Sequence, residues 1–82
     1  MSLNAELLVR TGRFLDHELS FAELVDWVQD HEEHWLRLPQ DSLARYHAAT
    51  IMLASYEVDD GVRDVESVKD LLGEATLQPA HG

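Results

Sequence analysis

Five histidines and sixteen carboxylates in 82 residues make metal binding the first chemistry to consider. The densest group, His31-Glu32-Glu33-His34, sets two imidazoles three residues apart. A zinc-protease helix needs them four apart, with Glu directly after the first. No Glu-x-x-His pair of the di-iron bundle type occurs in the chain. Solvated helix-end histidines are therefore the expectation, and no metal ligand is assigned. Asp59-Asp60-Gly61 suggests a calcium loop, but with Gly61 at the sixth place the first and twelfth fall on Tyr56 and Ser67. Neither supplies a carboxylate, so this stretch reads as a helix stop. Nucleophilic catalysis has no cysteine to use, and none of Ser2, Ser20, Ser42, Ser55 or Ser67 lies in a Gly-x-Ser-x-Gly turn. A chain this short has little room for a deep pocket that would retune paired carboxylates. The expectation is a protein that is not an enzyme, with no catalytic residue and no cofactor.

Charge, by contrast, is organised. Between Phe14 and Leu36 there are seven acids and neither Lys nor Arg. Glu23, Asp26, Asp30 and Glu33 step by three or four residues and so share one helical face. Like charges at these spacings destabilise a helix by about 0.2–0.5 kcal/mol per pair, and no Lys or Arg between Phe14 and Leu36 relieves them. Trp27 projects beside this face, flanked in helical projection by Glu23, His31 and His34. An indole at the edge of an acidic strip has the makings of an interface anchor with steering charges around it. Glu23, Asp26, Trp27, Asp30, Glu33 and His34 are the expected partner-binding residues. The competing reading is a solvated acidic face with Trp27 folded under the first or the last helix.

Four helices would have to position these groups. The first spans about Ala5 to His17, with Leu7, Leu8, Thr11, Phe14 and Leu15 on one face. The second opens on a capping box, Ser20 with Glu23, and Leu19 and Leu24 stand where a hydrophobic staple would clamp the entry. Its stripe of Phe21, Leu24, Val25, Val28 and Trp35 continues until Leu38-Pro39. The third runs from Pro39 and Asp41 to about Val58, with Leu43, His47, Thr50, Ile51, Ala54 and Val58 along one side. Its middle, Ala48 to Ala54, is apolar nearly all round, as in a helix that is central to its bundle or covered by another chain. Met52 and Tyr56 lie away from the main stripe, with Arg45, Ala48 and Ala49. They either pack on the last helix or make a symmetric dimer contact. Gly61 suits the left-handed position after the third helix. Asp64 caps a short fourth helix carrying Val65, Val68, Leu71 and Leu72, weakened at Gly73. Residues 1–75 thus form one helical domain, followed by a flexible tail over 76–82. The fold class is all-α, a small bundle of four helices.

Composition narrows the partners. Sixteen acids against six Lys and Arg give a net charge of −10. Nucleic-acid and anionic-lipid binding, which depend on basic residues, are not expected. No segment reaches the roughly 20 apolar residues of a membrane span, and Asn4 and Glu6 interrupt any leader pattern. The lack of cysteine fits a reducing, cytoplasmic setting. A basic protein partner is favoured, and a thin core raises the prospect of a homodimer.

The run Phe14-Leu15-Asp16-His17-Glu18-Leu19-Ser20-Phe21-Ala22-Glu23-Leu24-Val25, together with the Asp-Asp-Gly turn before Val65 to Leu72, resembles the colicin D-like bacterial immunity proteins. The resemblance spans about half the chain. It implies a small acidic helical inhibitor that covers the basic cleft of a toxin's tRNA-cleaving domain, its carboxylates standing in for RNA phosphates. The function expected is an acidic interaction module, of this immunity type or otherwise. The alternative is a structural or homodimeric accessory protein associating through the third helix.

Overall fold

A computed structural model describes residues 2–77, with side chains through residue 73. The all-α class holds: the elements are α1 (Leu3–Leu15), α2 (Phe21–Asp30), α3 (Glu32–Arg37), α4 (Leu43–Asp59) and α5 (Val65–Leu77). There is no strand among the described residues. Five helices replace the expected four, because the second breaks at His31.

The break has an identifiable cause. In an unbroken helix the carbonyls of Trp27 and Val28 would accept from the backbone N–H groups of His31 and Glu32. Here the His31 ring takes Trp27 O at 2.8 Å, through Nδ1. Trp35 donates its indole N–H to Val28 O at 2.9 Å, and the backbone N–H of His31 bonds the same carbonyl at 3.2 Å. Side chains thus occupy the acceptors that would have carried the helix onward. His31 relaxes to φ −115°, ψ 24°.

Elsewhere the local signals act as their chemistry predicts. Ser20 and Glu23 form the reciprocal capping box. Ser42, rather than Asp41, caps α4, its Oγ accepting from Arg45 N–H at 3.3 Å. Asp64 accepts from Ser67 N–H at 2.8 Å and opens α5. That helix has 13 residues, as many as α1, so it is not the short element the pattern predicts. Gly73 lies inside it, one residue after the fully buried Leu72, and does not end it. Thr76 and Leu77 are helical, and residues 78–82 lie outside the described residues.

The core joins α1 (Leu7, Phe14), α2 (Phe21, Leu24, Val25, Val28), α3 (Trp35), α4 (Ala48, Ile51, Ala54) and α5 (Val68, Leu72). Two expected core residues, Leu8 and Leu43, instead face outward. One polar pair is sealed inside it. Thr11 donates to Leu7 O at 2.8 Å, and its hydroxyl lies 3.0 Å from His47 Nε2. With the Thr11 proton given to the backbone, His47 donates from Nε2 to the hydroxyl, which satisfies both groups. Burial pushes the His47 imidazole below its ordinary pKa.

Candidate functional site

Two turns shape the surface next to α2. α1 closes in a Schellman motif: Glu18 N–H donates to Arg13 O at 2.8 Å and His17 N–H to Phe14 O at 3.1 Å. His17 occupies the left-handed position at φ 64°, where glycine is usual. Three residues on, the capping box starts α2. The Ser20 hydroxyl accepts from Glu23 N–H at 3.1 Å and donates to Glu23 Oε1 at 3.0 Å.

The chain reversal between these helices leaves an open groove of about 890 Å³ against the ends of α4 and α5. Phe14, Leu19, Phe21, Val25, Val58 and Val65 give it an apolar floor. Glu18, Glu23, Asp26 and Asp59 line it as exposed carboxylates. Lys69 and His17 also line it, tied together by a 2.6 Å contact in which the ammonium donates to Nδ1. Lys69 lies 5.5 Å from the Phe14 ring centre and 3.7 Å from Glu66 as well, so its charge is engaged within α5 and the floor.

The allocation of the cations explains why the groove stays negative. Arg10 stacks over Trp27 at 4.7 Å and pairs with Glu6 at 3.7 Å. Arg37 pairs with Glu33, and Arg63 with Glu57. Arg45 donates to the carbonyls of Leu36 and Leu38, satisfying the chain between α3 and α4. Arg13 is exposed on α1. None of the six Lys and Arg forms an ion pair with Glu18, Glu23, Asp26, Asp30 or Asp59 among the described residues.

The expected partner-binding set is therefore divided. Glu23, Asp26 and Asp30 remain exposed on α2, and the first two face the groove. Glu33 falls beyond the break on α3 and pairs with Arg37. His34 is half-buried, its Nε2 2.8 Å from Asn4 Oδ1 on α1. Trp27 is half-buried against the core, 5.7 Å from Trp35 and 4.8 Å from His31, with Arg10 across its ring. That packing helps hold α1 on α2, while part of the Trp27 side chain stays exposed beside the acidic face. The basic group that covers it comes from another helix, which a search along α2 alone could not find.

Met52 and Tyr56 separate too. Met52 packs on the core and lines a cleft of about 210 Å³ with Trp35 and Leu36, facing α3 rather than α5. Tyr56 is 60% exposed. The nitrogens of His31 and His34 face different partners, and no group of three metal-capable side chains gathers among the described residues. No helix among them is long and apolar enough to cross a membrane.

Glu18 and Asp59 are the groove residues that pattern reading places elsewhere, one in a connection and one in a helix stop. A signal for Glu18 is the staple spacing of Leu19 and Leu24, which bears on how the chain enters α2; Asp59, at the end of α4, has no local signal of this kind. Compared with known proteins, the chain matches no family model, no curated protein and no solved structure.

Proposed function

We propose that this domain is a protein-interaction module whose acid-lined groove receives a basic, amphipathic segment of another protein. One observation carries the reading: four carboxylates surround an apolar floor and none has an ion-pair partner among the described residues. A Lys or Arg side chain would find its counter-charge at the rim, while an apolar neighbour packs on the partly exposed Leu19, Val58 and Val65. Charge of this kind sets association rate and partner choice more than final affinity. An immunity-type inhibitor of a basic nuclease toxin, the class implied by the resemblance, would use the groove in this way.

The test is a titration with an amphipathic Lys/Leu peptide, followed by backbone amide NMR. Shifts should concentrate on residues 17–29 and 55–69. Reversing Asp26 and Asp59 together to Lys should slow association roughly tenfold or more at low salt. Shifts spread evenly over every acidic surface, or association unaffected by the double reversal, would remove the groove from the proposal. For the narrower immunity reading, the purified protein should suppress RNA cleavage by a nuclease toxin encoded beside it.

A further inference from the structure

The outward face of α4 is apolar and exposed, with no cover among the described residues. Tyr46, Leu53 and Tyr56 are 69%, 62% and 60% exposed, and Ala49 between them is exposed as well. From Tyr46 to Tyr56 the helix carries no Asp, Glu, Lys or Arg, in a chain of net charge −10. The opposite side of this helix is anchored by Ile51 and Ala54, so the exposed face is not a core face in waiting.

We infer that two copies of this chain associate through this face, with their α4 helices antiparallel about a two-fold axis. The spacing of Tyr46, Ala49, Leu53 and Tyr56 is three, four, three, which reads the same in both directions. At about 100° per residue, Tyr46 and Tyr56 lie about 40° to either side of the strip's centre, and Ala49 and Leu53 about 20°. A two-fold rotation about the midpoint therefore sets Tyr46 on the second copy's Tyr56 and Leu53 on its Ala49. Near the centre the large Leu53 meets the small Ala49, the tyrosines pair toward either end, and the contact is self-complementary as a two-fold demands.

The helix ends supply an independent argument. α4 has no acid in its first turn and no base in its last, so neither terminal turn carries the charge that its dipole favours. Asp60 instead stands at its C-terminus, in line with the strip. The same two-fold brings Asp60 opposite Ser42 at the N-terminus of the second helix, where free N–H groups favour a carboxylate. A lipid surface would want flanking cations, and a chain of another sequence would not need a palindromic strip. The groove residues on α4, Ser55, Val58 and Asp59, lie on a different side, so this inference does not rest on the groove reading and leaves both grooves open.

Light scattering across micromolar to millimolar concentration tests it. The mass should rise from the 9.3 kDa of one chain to that of two, and no further. Leu53→Glu should weaken association roughly tenfold or more, with an unchanged circular-dichroism spectrum. Asp60→Lys should weaken association while raising the melting temperature of the dilute monomer, because Lys suits its own helix end. Mixed Tyr46→Cys and Tyr56→Cys chains should cross-link to each other with a short bis-maleimide faster than either does to itself. A mass that stays at one chain, grows past two or ignores Leu53→Glu overturns the inference. So does preferred cross-linking between identical positions.

Discussion

The outer faces of α2 and α4 are both solvent-facing, and each lacks what such a face normally has. Among the described residues, α2 presents Glu23, Asp26 and Asp30 without counter-ions, and α4 presents Tyr46, Leu53 and Tyr56 without cover. Beneath them the two helices pack on one shared core. The difference lies in the physics that would satisfy each. An unpaired acidic face loses little by meeting water and attracts cations over a Debye length of about 8 Å. An apolar face gains only on contact, at about 25 cal/mol per Å² of apolar surface buried. One face can steer a partner from a distance. The other can only hold what already touches it.

The sharpest way to separate the inner and outer sides of α4 is to truncate each. Ile51→Ala, at a fully buried position, should cost about 2–5 kcal/mol in urea unfolding of the dilute protein. Leu53→Ala, two residues on and 62% exposed, should cost less than about 0.5 kcal/mol under the same conditions. Equal losses would mean that Leu53 packs within the chain and that the two sides do not differ.

Acid probes the shared core next. The unfolded chain protonates His47 near the ordinary imidazole pKa of about 6.5, whereas the folded one does so only at lower pH. Between those values the unfolded state holds the extra proton, so stability falls as pH drops through that window. The slope attributable to this group reaches at most about 1.4 kcal/mol per pH unit. His47→Gln should flatten the fall relative to the parent chain in paired melts between pH 7 and pH 5, and parallel curves would rule His47 out.

The smallest effect belongs to the acidic face. Asp30→Asn removes a like charge four residues from Asp26 and should stabilise the fold by about 0.2–0.5 kcal/mol, a gain that added salt erases. A loss of stability would mean that Asp30 has a partner holding it in place, and the contrast between the faces would weaken.

Much of the architecture was legible because it is local. Ser20 with Glu23, Asp64 with Ser67 and Gly61 in its left-handed turn act within three or four residues, and each does what the letters suggest. The break at His31 was not legible, since it needs Trp35 to reach back seven residues to Val28 O. Nor was the cover on Trp27, because Arg10 arrives from another helix. Periodicity placed Leu43 on the inner face of its helix, yet position in the first turn leaves it 82% exposed. The candidate site shows the same division. Asp26 follows from α2 alone, but Asp59 joins it only through the packing of α4.

The two indoles of this protein are neighbours, 5.7 Å apart, with one imidazole 4.8 Å from Trp27 and another 4.8 Å from Trp35. All tryptophan emission therefore originates at one spot, the joint between α2 and α3. Light from that spot says little directly about a ligand in the groove or a second chain on α4. An optical change on binding would consequently mean that the joint itself has moved, which makes the native fluorophores a strain gauge for the bundle and a poor titration signal for its surfaces.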